Sequence, residues 1–160
     1  MIGKLSPSEI EDVLSLQYVG RIGCHDKDNI YVVPISYAYD GENIYCHAYE
    51  GKKIELMRTN PGICFEVDEM KDMANWKSVI LQGQFEEIKD KKERDKALEI
   101  LVNRRLPISS SITTHLGQTW PFVGDGFKGL SDIPGIVFRI SIREKTGRFE
   151  KTTVTPLESA

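Results

Sequence analysis

The sequence predicts a mainly β protein, an antiparallel barrel or sandwich with a few short flanking helices, and three observations carry that prediction. Five or six segments rich in β-branched and aromatic residues follow one another along the chain. The links between them are of hairpin type. Only three short stretches have helical periodicity, too few to cover both faces of a parallel sheet. With 160 residues, one domain over 1–160 is expected, able to bury a core without staples.

The first element is a helix. Ser6-Pro7-Ser8-Glu9 has the form of a capping box with proline at the first helical position, and Leu5 can staple onto Ile10. Ile10, Val13 and Leu14 then point inward, with Glu11, Asp12 and Ser15 outward. From Tyr18 to Ile88 the period shortens to two, and YVGRIGCH, IYVVPISYAY, NIYCHAY, GICFEVDEM and WKSVILQGQFEEI read as strands. Asp26 to Asn29 and Asp40-Gly41-Glu42-Asn43 supply turns. Between the third and fourth strands, GKKIELMRTNPG reads as a short helix ended by Asn60-Pro61-Gly62.

A charged helix is expected from about Lys91 to Arg105, opened by Asp90-Lys91-Lys92-Glu93, with Ala97, Leu98, Leu101 and Val102 as its apolar stripe. Strands return in GIVFRISIRE, where Ile136, Phe138, Ile140 and Ile142 alternate with Val137, Arg139, Ser141 and Arg143. TGRFEKTTV adds a last ribbon. The stretch from Asn103 to Pro134 is only weakly periodic, the length of a functional lid or binding loop, and within it ISSSITTHLG can also be read as a helix.

Charge and motifs exclude several functions. The net charge is -3 and the pI about 5.7, so nothing pre-concentrates a polyanion; an oligonucleotide-binding barrel with stacking aromatics is the weaker reading. Three cysteines without C-x-x-C spacing, no apolar leader and no run near 20 apolar residues point to a soluble, reduced, cytoplasmic protein. Cys24-His25 and Cys46-His47 invite a zinc reading. Adjacent strand residues face opposite ways, so each pair offers one ligand, and with no spacing that recruits His115 no metal is expected. Glu66, Asp68, Glu69 and Asp72 read as solvated charge, and no nucleophile elbow, Walker loop or dinucleotide fingerprint is present. Any chemistry must come from a bound cofactor.

Two choices are odd. Pro34 interrupts a strand although it has no N–H for a ladder, which points to an unpaired or bulged segment; protection of an edge against aggregation is the plainer account. Lys52 and Lys53 stand at the start of a helix, where the dipole favours anions. A phosphate there would reverse the sign, and Gly51 would let it approach the backbone; pairing of the lysines with Glu50 and Glu55 is the alternative. His47 lies on the strand feeding this corner, on one face with Tyr45.

The segment GRIGCHDKDNIYVVPISYAYDGENIYCHAYEGKKIELMRTNPGICFEVDE resembles the pyridoxamine-phosphate-oxidase-like FMN-binding split barrels, and is most similar to their nitroimidazole-resistance (Nim-type) branch. The shared order is a glycine-rich first strand, V-P-hydrophobic, a D-G turn, Y-x-H and then E-G-K/R-K; it covers about residues 10 to 90, with a weaker match over Gly135 to Gly147. The resemblance implies an antiparallel Greek-key split β-barrel that forms a homodimer with FMN at the interface. It puts the phosphate on Lys52 and Lys53 and the flavin ring along Val33, Pro34, Ile35 and Ser36. His47 would stand at the flavin as a proton or hydrogen-bond donor, the candidate catalytic residue, and Ser78 and Gln82 would border the ring.

The implied activity is that of a flavin-dependent oxidoreductase acting on a small flat substrate, nitro-heteroaromatic or quinone-like, with NADH or NADPH as electron donor and FAD as the alternative to FMN. Two rivals follow from the same resemblance: a haem-binding or haem-degrading barrel using His25, His47 or His115, and a flavin-binding dimer without turnover. The chain lacks the C-terminal substrate signature of pyridoxamine-phosphate oxidases themselves. Trp120, Phe122 and Phe127 match no family motif, and would close over the flavin or pack the dimer seam.

Overall fold

The computed structural model describes residues 1–104 and 129–152. Their chain order is β1 (Ile2–Lys4), α1 (Pro7–Leu16), β2 (Val19–Asp26), β3 (Asn29–Ser36), β4 (Ala38–Tyr39), β5 (Asn43–Ala48), α2 (Lys52–Thr59), β6 (Gly62–Asp72), β7 (Asn75–Glu87), α3 (Lys91–Asn103) and β8 (Ile136–Lys151). A 3-10 turn, Leu130–Asp132, precedes β8. Eight strands make one antiparallel sheet in the order β3-β2-β6-β7-β8-β5-β4, with β1 added to β8.

The two ends of that order, β3 and β4, are consecutive in the chain. Only Tyr37 separates them, so the sheet curls round until its borders meet at one residue, and the barrel stays split along β3 and β5. The expected single strand over residues 30 to 39 is therefore two strands joined at a corner. Tyr37 is anchored there: its hydroxyl donates to the Leu14 carbonyl at 2.8 Å, and its ring meets Phe65 edge-on at 5.4 Å. Main-core side chains such as Leu14, Ile22, Ile44, Cys46, Ile54, Phe65, Leu81 and Ile140 fill the interior. A smaller cluster, with Tyr45, Leu98, Leu101 and Val137, joins α3 to the outer face of β5 and β8.

β8 corrects a second expectation. Residues 136 to 151 form one strand, not two. Opposite β7 the register runs Gln82 to Glu144 and then Gly83 to Ile142, so Arg143 is an extra residue, a β-bulge. Before it the even positions Ile136, Phe138 and Ile140 face the core; beyond it the odd positions do, and Gly147 is buried. A Cβ at Gly147 would lie 2.8 Å from Leu5 Cδ1 and 3.0 Å from Ile10, so glycine lets α1 dock directly on this strand.

α1 begins as its sequence indicates, with the reciprocal capping box of Ser6 and Glu9 in place. Its outer side is tied to the sheet by Glu11, which accepts hydrogen bonds from Lys145 and from Tyr39, the latter at 2.7 Å. Burial alone would raise the Glu11 pKa, but these bonds overcome it and hold the carboxyl below its ordinary range. A lowered folded-state pKa means stability that is present above the unfolded value and lost as pH falls through the folded one. Denaturant melts below pH 4.5 should therefore weaken less steeply in Glu11→Gln than in the parent; identical pH slopes would remove the clamp from the account.

β1 was not foreseen, and α3 ends at Asn103 rather than Arg105. ISSSITTHLG, His115, Trp120, Phe122 and Phe127 lie outside the described residues. Among the described residues, no helix is long and apolar enough to cross a membrane, and no group of three or more potential metal ligands is gathered.

Candidate functional site

β3 is the border of the sheet, paired on one side only, and its register with β2 runs unbroken from Val19–Ser36 to Asp26–Asn29. The ladder thus accommodates Pro34 without a bulge, and the other side of the strand keeps its main-chain groups unladdered. Of the predicted ring-framing residues, Val33 packs against the core and Ile35 is buried in it; Pro34 and Ser36 face the other way.

α2 follows β5 and starts beside this border. Its cap, Gly51, has an extended backbone and no side-chain hydrogen bond to the first turn, and a Cβ there would meet nothing within 4 Å. The Lys52 ammonium lies 5.2 Å from the centroid of the Tyr31 ring. Burial raises the thiol pKa of Cys24 on β2, with Lys53 and Lys52 opposing it. Burial likewise pushes the Cys46 thiol on β5 up to about 12, against Arg104 and Lys53.

The neighbouring carboxylates do not neutralise this corner. Glu50 is held by both terminal nitrogens of Arg58 at 2.9 Å, and Arg58 also binds Glu87 at 2.8 Å. Among the described residues, neither Lys52 nor Lys53 forms a salt bridge. Two cations at an uncapped helix start are a combination that an anion stabilises.

A third cation lies at the other end of β3. Arg104, just beyond α3, donates from Nη2 to Ser36 Oγ at 3.4 Å, and its burial lowers its pKa to about 10. Tyr31 and Ser36 are five extended residues apart, about 17 Å along the strand. The border is thus flanked by lysines at its start and by an arginine at its end. Sequence reasoning missed Arg104 because an arginine at a helix end next to irregular chain reads as exposed.

The other predicted residues lie elsewhere in this chain. His47 is on the outer face of β5, opposite Cys46, where its Nε2 is 2.6 Å from the Pro134 carbonyl and its ring meets Tyr49 edge-on. A carbonyl only accepts, so Nε2 carries a proton. Ser78 and Gln82 do share a face of β7, with no bulge between them. That is the outer face, which Pro34 also occupies, but three strands and about 14 Å away. Ser78 donates to Glu66 at 2.8 Å; Arg21 pairs with Glu66 and Asp68 on the same face, where Ile30 is 81% and Val32 60% exposed.

Fold and site together define a split antiparallel barrel with a cation-flanked border strand. The Pyridoxamine 5'-phosphate oxidase family matches residues 6–119. A crystal structure of an FAD-binding protein from Mesorhizobium loti superposes with a TM-score of 0.71 and 34% identity, covering 94% of this chain and 99% of that one. A candidate 5-nitroimidazole antibiotic resistance protein from Bacteroides thetaiotaomicron shares the fold, with a TM-score of 0.67 and 20% identity over 93% of this chain and 87% of that one. An uncharacterised protein of Rhizobium meliloti is 34% identical over 84 residues, which span 52% of this chain and 56% of the relative. The chain belongs to the Pyridoxamine 5'-phosphate oxidase family.

Proposed function

We propose that the chain is an FMN-dependent oxidoreductase, working as a homodimer on a small flat substrate, nitro-heteroaromatic or quinone-like, with NADH or NADPH as electron donor. FAD is the alternative cofactor, and the FAD-binding relative from Mesorhizobium supports a flavin of either kind. The observation that carries the reading is the pair Lys52 and Lys53 at an uncapped helix start, neither in a salt bridge among the described residues, while the adjacent Glu50 is taken by Arg58.

A bound flavin supplies the electron transfer. The protein's part is to bind and orient it. Lys52, Lys53 and the first-turn N–H groups of α2 hold the phosphate. The main chain of Val33, Pro34, Ile35 and Ser36, unladdered on one side, would offer its N–H and C=O groups to the ring. His47 is the candidate proton or hydrogen-bond donor; its Nε2–H is given to the Pro134 carbonyl in this chain, so donation to a ligand requires that bond to open. Ser78 and Gln82, remote from β3 within one chain, serve the ring bound by the partner protomer. The exposed Ile30, Val32 and Ile80 on that face support such an interface.

The purified protein should show the two visible absorption bands of a flavin, and NADH or NADPH should bleach them in stopped flow. A lone Soret band would replace this reading with haem binding, and a flavin that no pyridine nucleotide reduces would make the protein a carrier.

A further inference from the structure

Just before β8 the chain passes between α3 and β5, and its successive carbonyls turn to one and then the other. On one side Arg94, half-buried on α3, donates from Nη2 to the carbonyls of Ile133 at 2.5 Å and Gly135 at 3.2 Å. On the other side the intervening carbonyl of Pro134 accepts from His47 Nε2 at 2.6 Å. Glycine at 135 permits this approach: its φ of 103° is left-handed, and a Cβ there would lie 2.6 Å from His47 Nε2 and 2.8 Å from the Ala48 carbonyl. Ile133 is buried in one cluster with Ala97, Leu98 and Leu101 of α3. Ser131 makes a separate tie to the same helix, donating to the carboxylate oxygens of Asp95 at 3.0 and 2.9 Å.

We propose that Arg94 is a positioning residue for His47. By gripping the carbonyls on either side of Pro134 it fixes where the Pro134 carbonyl points, and that carbonyl fixes the imidazole ring. A guanidinium suits the task, because its Nη2 hydrogens are held in one plane and its bonds are charge-assisted. The ring is thereby committed to the tautomer with Nε2–H, and a proton that it gains or loses is exchanged at Nδ1. Arg94 thus governs how readily Nε2–H leaves Pro134. This geometry stands whether or not flavin binds; its bearing on catalysis rests on the role proposed above for His47.

Imidazole NMR of the full chain, labelled with nitrogen-15, reads the bond directly. In the parent, the Nε2–H of His47 should exchange with water at least about tenfold more slowly than the ring N–H of the exposed His25. Arg94→Gln should bring the two rates within about twofold of each other, while Ala97, Leu98 and Leu101 keep α3 docked. Arg94→Lys still donates to a carbonyl, and its rate should fall between those of the parent and Arg94→Gln. Ser131→Ala loosens the same segment without touching carbonyls 133 to 135, so it should stay within about twofold of the parent. An unprotected Nε2–H in the parent, protection that survives Arg94→Gln, or a loss in Ser131→Ala equal to that in Arg94→Gln would overturn the assignment. None of these readings requires flavin, so a chain that binds none leaves the test intact.

Discussion

Replacing Lys52 and Lys53 together by alanine is expected to weaken flavin binding by about a hundredfold, near 3 kcal/mol, the sum of two modest charge-assisted contacts. Quenching of flavin fluorescence on titration into the apo-protein measures it. Neither lysine forms a salt bridge among the described residues, and the tie of Lys52 to another element is its contact with the Tyr31 ring of β3, 5.2 Å from the centroid, weak at an exposed site. Their removal should therefore leave thermal stability unchanged or slightly higher, because two cations leave a helix start that disfavours them. Weaker binding without weaker folding separates a ligand site from a structural role. Arg58→Ala should act in the same direction and more gently, because it releases Glu50 to neutralise the same corner. If the double variant retains flavin as tightly as the parent, the phosphate is held elsewhere, whatever the fold.

Phe65→Ala is expected to cost about 3–5 kcal/mol, a large share of the stability of an ordinary domain. Phe65 is fully buried on β6, edge-on to Tyr37, and it packs so closely on β2 that a Cβ at Gly20 would lie 2.5 Å from its ring. Its loss opens a void in the middle of the barrel and removes the partner of the corner residue where the two borders meet. Urea unfolding reads the change directly; a loss under about 1 kcal/mol would mean that the sheet collapses onto the gap and that the corner is held by the Tyr37 hydroxyl instead.

Most of the fold was legible because alternation and turn chemistry agree along residues 18 to 88, where each predicted strand has its counterpart. β8 departs from the two ribbons its pattern suggests for a definite reason. A bulge at Arg143 shifts the inward positions from even to odd, so the pattern looks interrupted where the hydrogen bonding is continuous. β1 is three residues long, too short to show a period. The corner at Tyr37 is a tertiary event, fixed by Leu14 and Phe65 from distant parts of the sequence.

The lysine pair could be read because it contradicts a local rule, the preference of a helix start for anions. Pro34 could be read in the same way, and it proved to lie on a border strand without a bulge. Arg104 breaks no local rule. It meets Ser36 at the end of β3, a contact between residues 68 apart in the chain that no window of sequence reports. Ser78 and Gln82 were placed on one face by alternation alone, while their distance from β3 followed only from the strand order.

That strand order also bears on how the chain is made. β8 lies between β7 and β5, so the halves of the sheet have no edge in common until its first half, which pairs with both, has been synthesised. A nascent chain leaving the ribosome holds β2, β3, β6 and β7 on one side and β4 and β5 on the other, each with an open flank waiting for the same late strand. Pairings so distant in sequence form slowly, and the unpaired flanks stay exposed for longer than in a helical protein of equal length.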